Sequence, residues 1–219
     1  MNLEQPESQP RRAGRQKSAE KAEAIREAAA ELFMTEGMAR TSMDAIAAAA
    51  GVSKQTVYSH FRSKDDLFRA CVAGKVKTYG LDGFEREPGT GVGDVLRHFG
   101  RQYLTLLCDE GVICMFRLMV AETNAHPGIA SSFHEAGPTA TLHVVANELK
   151  PYLIEAGHPG DIALQAASEF LALVRGTYFL ELLLGTRDGI EQQELEAHVE
   201  HCVKQAIRLY APACYQSGD

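Results

Sequence analysis

The chain has 219 residues, 45% of them hydrophobic and none of them tryptophan, with a formal net charge of −7 at pH 7. This is enough apolar material for one or two packed domains, and it excludes a collagen-like or wholly disordered polypeptide. The charge is uneven, +3 over residues 1–80 and −10 over 81–219, as expected when a nucleic-acid module is joined to a domain of another kind.

Residues 1–17 are rich in Gln, Pro, Ser and Arg, and read as a disordered arm. Arg11, Arg12, Arg15 and Lys17 gather at its end, either to reach phosphates or as a solvated tail. Ser18 is placed to cap a helix running to about Thr35, with Ile25, Ala28, Ala29, Leu32 and Phe33 as its apolar stripe and Gly37 as its end. Residues 41–64, TSMDAIAAAAGVSKQTVYSHFRSK, then read as two short helices around a tight turn. Met43, Ile46, Ala47 and Ala50 fall on one helical face, and Thr41 and Asp44 have capping-box spacing. Gly51 suits a left-handed turn. Ser53 caps the second helix, whose inward positions are Val57 and Phe61. Lys54, Gln55, Tyr58 and Ser59 are left facing outward, as reading a major groove requires. Without such a task the same pattern would be a packed αα-hairpin.

The pattern Thr41-Ser42, Ile46-Ala47, Ala50-Gly51-Val52-Ser53, Thr56-Val57-Tyr58, His60-Phe61, Ser63-Lys64 and Leu67-Phe68 resembles the helix-turn-helix of the tetracycline-repressor (TetR) family of bacterial regulators. The close resemblance covers about residues 18–72. It implies a DNA-binding domain over 18–80 and a C-terminal ligand-binding and dimerisation domain over 81–219. It also implies DNA contacts from Ser42, Ser53, Lys54, Gln55, Thr56, Tyr58, Ser59, His60 and Lys64. Chemically, Gln55 fits adenine and Lys54 guanine. Thr56, Tyr58, His60 and Lys64 suit phosphate oxygens, which set register without reading sequence.

Ser63 and Asp66 have box-like spacing at the start of a fourth helix, along which Leu67, Phe68, Cys71, Val72, Val76 and Tyr79 run inward. The glycines from Gly80 to Gly93 lack the spacing of a phosphate loop and read as a connection. Helices are then expected over 94–109, from Gly111 to about His126, over 129–136, from Pro138 to about Glu155, over 161–184 and over 190–210. The first of these turns Val95, Leu96, Phe99, Tyr103, Leu106 and Leu107 inward. Gly137-Pro138 is expected to interrupt the series. The class is all-α with nine or ten helices. Helix 161–184 is apolar nearly all round, so one side is expected to meet its own domain and the other a second copy. The seam Leu195, Val199, Cys202, Val203, Ala206, Ile207 and Tyr210 would complete a four-helix interface in a homodimer.

The chain lacks GxSxG, HExxH, P-loop and Cys-His signatures, so it does not read as an enzyme and no cofactor is expected. His198, His201 and Cys202 have metal-like spacing, but Cys202 reads better as part of the apolar seam and no metal is assigned. His126 and His134 are a weaker pair. Five cysteines without CxxC spacing and a polar N-terminus point to the cytoplasm. Glu169, Arg175 and Glu181 argue against a membrane helix at 162–184. Arg117, Glu122, Glu169 and Arg175 lie within apolar helices and need partners or a ligand. A largely apolar pocket is expected from Phe99, Tyr103, Phe116, Met119, Phe170, Val174 and Tyr178, with Arg117, Glu122 or Arg175 as polar anchors.

The function these readings imply is a transcriptional regulator, most often a repressor, released from a pseudo-palindromic double-stranded DNA operator by a small apolar effector. The alternatives are a constitutive DNA binder without an inducer, and a protein-interaction module with a silent helix-turn-helix.

Overall fold

The computed structural model describes residues 10–123 and 127–210. Their regular structure is helical: α1 (Pro10–Glu36), α2 (Met43–Ala49), α3 (Lys54–His60), α4 (Lys64–Thr78), α5 (Val92–Leu107), α6 (Glu110–Glu122), α7 (Pro127–His134), α8 (Ala140–Glu155), α9 (Ala163–Arg175), α10 (Tyr178–Leu184) and α11 (Gln192–Tyr210). A π-helical turn occupies Glu135–Thr139 and a 3-10 turn Gly160–Ile162. The chain divides into two compact units, Met1–Cys71 and Val72–Asp219, and the division falls inside α4 rather than at the glycines that follow it.

In the first unit α1, α2 and α3 pack on one another. Ile25, Ala29 and Phe33 of α1 are fully buried, as are Ile46, Val57, Leu67 and Phe68. The rings of Phe33 and Phe68 meet edge-on at 5.8 Å. Helix α1 begins at Pro10, not at Ser18. Proline suits a first helical position, and the Arg, Ala, Gln and Lys that follow are good helix formers, so the polar segment 10–17 extends the helix. Of the disordered arm expected over residues 1–17, residues 1–9 and the side chains of Arg11, Arg12 and Arg15 lie outside the described residues.

In the second unit α5, α8, α9 and α11 pack on one another. Phe99, Leu104, Val145, Ala167, Val174 and Val203 are fully buried between them. Gly100 of α5 makes the closest approach: a Cβ there would lie 2.8 Å from Val199 Cγ1 on α11 and 3.3 Å from Phe170 Cζ on α9. The 80–93 connection is tied down on α8. Arg86 pairs with Glu148 at 2.8 Å and lies 5.0 Å above the Tyr152 ring, and the Tyr152 hydroxyl donates to the Thr90 carbonyl at 2.8 Å.

Three expectations for this unit are corrected. The single helix expected over 161–184 is two, because Gly176 takes φ 48° and ψ −144°, a conformation that L side chains resist. Gly137-Pro138 does not interrupt the chain. The π-helical turn carries it into α8, absorbing the donor that Pro138 lacks. The seam Leu195, Val199, Cys202, Val203 and Ala206 is buried in the core of its own chain, with Ile207 and Tyr210 packed against it. Leu195, Val199, Cys202, Val203 and Ala206 are therefore not free to meet a second copy, whereas Ile207 and Tyr210 keep part of their surface. The exposed side of α9 carries Leu164 (43% exposed) at one edge and Leu173 (40% exposed) at the other, with Gln165, Ser168, Glu169 and Ala172 between them.

Candidate nucleic-acid interface

The turn between α2 and α3 is set by Gly51 at φ +64°, and the chain doubles back so that the Val52 N–H donates to the Ala47 carbonyl at 3.0 Å. Ser53 then caps α3, its hydroxyl oxygen accepting from the Thr56 N–H at 3.1 Å. Val57 and Phe61 point into the core, which turns Lys54, Gln55, Tyr58 and Ser59 outward, with Thr56 and His60 half-buried at the edges. The sequence pattern therefore presents the face it was expected to present.

The local chemistry of that face is partly spent on the helix itself. Ser59 donates to the Thr56 carbonyl at 2.7 Å, and the Ser53 and Thr56 hydroxyls share a hydrogen bond at 2.8 Å. Gln55 is exposed, and its amide is unengaged among the described residues. Lys54 Nζ lies 2.8 Å from Asp44 Oδ1 on α2 and 6.0 Å from the centre of the Tyr58 ring.

At the other helix starts one expectation holds and another is corrected. Ser63 caps α4, accepting from Asp66 N–H at 3.1 Å, while Asp66 accepts from the Arg62 N–H at 3.0 Å. The cap of α2 is Ser42, which accepts from Ala45 N–H at 3.1 Å, and not Thr41. Because α2 starts one residue later than the capping-box spacing requires, the Thr41 side chain is free for α1. It is buried, and its hydroxyl lies 2.8 Å from the Gly37 carbonyl and 3.2 Å from that of Leu32. Ser42 remains exposed at the edge of the face. Lys64 is half-buried, and its ammonium donates to the carbonyls of Met38 and, at 2.9 Å, Thr41. It ties the start of α4 to the α1–α2 turn, a role absent from the sequence reading.

The second unit treats its expected pocket residues unevenly. Phe99, Met119, Phe170 and Val174 are buried, and Tyr103, Phe116 and Tyr178 are half-buried. Phe116 meets Phe133 and Phe179, each at 4.7 Å between ring centres. Arg117 donates to the carbonyls of Leu182 and Leu183 at 2.9 and 3.0 Å, so it caps the end of α10. Arg175 is exposed. Glu122 keeps a buried Oε2 with no hydrogen-bond partner among the described residues. A void of about 20 Å³ lies among Leu96, Leu149, Leu153, Phe170 and Ala206 and has room for roughly one water. Of the expected lining residues, Phe170 reaches it.

Cys202 is buried, and burial pushes its thiol up to about 11, which disfavours a thiolate ligand. His198 bonds the Val174 carbonyl at 3.0 Å and stacks edge-on with Tyr178, while His201 is exposed. His126 lies outside the described residues, and His134 shares a hydrogen bond with Thr139 at 3.1 Å. Among the described residues no helix is long and apolar enough to cross a membrane.

Comparison with known proteins bears on both units. A model of bacterial regulatory proteins of the tetR family matches residues 25–71, and one of the AefR-like transcriptional repressor C-terminal domain matches residues 94–212. The solved structure of the flavonoid-responsive regulator FrrA is 33% identical, with a TM-score of 0.69 over 86% of this chain and 96% of that one. A TetR-family transcriptional regulator from Mesorhizobium loti is 27% identical, with a TM-score of 0.68 over 88% and 98%. One from Pseudomonas syringae pv. tomato is 26% identical, with a TM-score of 0.60 over 86% and 95%. With an outward-facing α3 on a helix-turn-helix and matches that span both units, the chain belongs to the TetR family of bacterial transcriptional regulators.

Proposed function

We propose that the protein is a homodimeric repressor that binds a pseudo-palindromic operator and leaves it when a small, largely apolar molecule binds the second unit. The observation that carries the DNA part is the α3 face, where Lys54, Gln55, Tyr58 and Ser59 stand out from a helix anchored by Val57 and Phe61. Gln55 reads adenine, Lys54 reads guanine, and Ser42, Ser53, Thr56, Tyr58, Ser59, His60 and Lys64 border the groove. Two such helices in a dimer require half-sites about one helical turn apart. The dimer forms through the exposed side of α9, which Leu164 and Leu173 flank.

The ligand part is supported by the aromatic group Phe116, Phe133 and Phe179, which joins α6, α7 and α10, and by the buried Glu122 Oε2 at the end of α6, which has no hydrogen-bond partner among the described residues. A mostly apolar site with few polar groups fits that chemistry. The similarity to a flavonoid-responsive regulator makes flat polyphenols the first molecules to test. The close packing of Phe99, Phe170 and Val174 favours the second reading, a constitutive binder. Footprinting on the DNA flanking the protein's own gene, with and without a panel of flavonoids, tests both. Protection of two half-sites that a flavonoid abolishes supports the inducible repressor. Protection that no compound alters supports the constitutive binder. No protection at moderate salt rejects the DNA reading.

A further inference from the structure

At pH 7 the α3 sequence KQTVYSH carries one fixed positive charge, that of Lys54. The structure does not leave that charge free. Lys54 Nζ lies 2.8 Å from Oδ1 and 3.0 Å from Oδ2 of Asp44, so the ammonium straddles the carboxylate. Both side chains stay open to solvent, at 60% and 64% exposure, and an exposed pair of this kind does little for stability. Helix α3 has no acidic residue in its first turn, so Lys54 places a cation at the positive end of the helix, a poor position that the Asp44 carboxylate offsets. The hydrogen bond from Lys54 to Asp44 raises the lysine pKa and keeps it protonated.

The consequence lies on the reading surface. An unpaired lysine on α3 would be drawn to phosphates of any sequence, and each phosphate it neutralised would add to non-specific affinity. A phosphate approaching Lys54 here also approaches the Asp44 carboxylate, and attraction and repulsion nearly cancel. A neutral base edge suffers no such repulsion. An ammonium has three donors, and the carboxylate occupies at most two of them. The remaining donor is available to an acceptor such as guanine O6 or N7.

We propose that Asp44 is a specificity-determining residue of the DNA interface: by holding Lys54 it cancels that lysine's pull on phosphate and reserves it for a neutral base edge. This rests on the DNA-binding reading above. Asp44 acts through Lys54 and so is a positioning residue.

The test uses the full-length protein, a duplex selected by the wild type from a random-sequence pool, and a scrambled duplex of the same length and composition. Asp44→Asn is expected to tighten binding to the scrambled duplex roughly tenfold at 0.1 M salt. It should steepen the salt dependence by about 0.9 for each subunit bound. The selected duplex should gain less, so the ratio between the two falls. Lys54→Ala alone leaves the Asp44 carboxylate unopposed, so it should weaken both duplexes, and the selected one more because a base contact goes with it. The double variant, with neither charge, should bind the scrambled duplex as the wild type does. The Lys54→Ala variant tests the proposal even if Asp44→Asn folds poorly. Equal effects of Asp44→Asn on both duplexes, a double variant that binds the scrambled duplex as tightly as Asp44→Asn, or a Lys54→Ala protein that weakens both duplexes equally would each overturn it. A wild type that selects no sequence from the pool would reject the DNA-binding reading itself, whereas a selective wild type with an inert Asp44→Asn rejects this inference alone.

Discussion

The Asp109 carboxylate, which caps α6, accepts the hydroxyl of Tyr79, the residue just after α4, at 2.6 Å. The same Oδ2 accepts Lys75 at 2.9 Å, while Oδ1 accepts the Val112 N–H at 3.0 Å. Helix α4 runs from Lys64 to Thr78, so if an inducer shifts the start of α6, these two bonds would pass the shift to the end of α4. Asp109→Asn is expected to keep the fold and operator binding but to reduce the loss of DNA affinity caused by an inducer. The check is to titrate inducer with and without operator, since linkage requires the same factor in both directions. Unchanged coupling in the variant would show that the signal travels by another route.

The same carboxylate has a pH signature. Burial pushes Asp109 up, but the hydrogen bonds from Tyr79, Lys75 and Val112 outweigh it and hold the group below its ordinary value of 3.8. A depressed folded pKa gives stability that is present above the unfolded value and lost as pH falls through the folded one. The wild type should therefore exceed Asp109→Ala in stability at pH 7, by roughly 1 kcal/mol for the cap alone. The gap should narrow below about pH 4. Denaturant melts at pH 7 and pH 3 measure it, and a gap of equal size at both would exclude the carboxylate as its source.

On the DNA side, Gln55→Ala should cost roughly 1–3 kcal/mol of operator binding and relax preference at one position per half-site. Lys64→Ala should weaken binding on every sequence. Since its ammonium also holds the Met38 and Thr41 carbonyls, it should lower the melting temperature as well, by an amount matching roughly 1–2 kcal/mol. Binding to operator and scrambled duplexes, alongside thermal melts, separates the two residues. A Lys64→Ala protein with wild-type stability would assign Lys64 to phosphate alone.

These pairs show what the sequence makes legible. Ser53, Gly51, Val57 and Phe61 were readable because caps, turns and helical faces are set by neighbours within a few residues. Lys64 was readable as basic and near DNA but not as a clamp, since its acceptors lie 26 and 23 residues away. The break at Gly176 was hidden by apolar residues that keep their period across it, and its neighbour His198 comes from α11. The same distance problem misassigned the α11 seam. Apolar periodicity shows that a face is buried, but not whether its own chain or a second copy covers it.

That correction makes the assembly testable. Val203 is fully buried in its own chain, so Val203→Asp should unfold the second unit rather than release folded monomers, because an unpaired charge in a core costs several kcal/mol. Leu173 is 40% exposed on α9, so Leu173→Arg leaves the core intact while placing a charge on the proposed contact. Leu173→Arg is expected to keep the helical signal and melt cooperatively, to sediment as a monomer at micromolar concentration, and to lose operator affinity because the two recognition helices are no longer held at a fixed spacing. Gly100→Ala serves as the reference for a purely internal lesion. Its Cβ would meet Val199 Cγ1 at 2.8 Å, which predicts a loss of about 1–3 kcal/mol, partly recovered by Val199→Ala, with no change in oligomeric state. A folded Val203→Asp monomer would return the seam to the interface, and a dimeric Leu173→Arg would move the contact away from this side of α9.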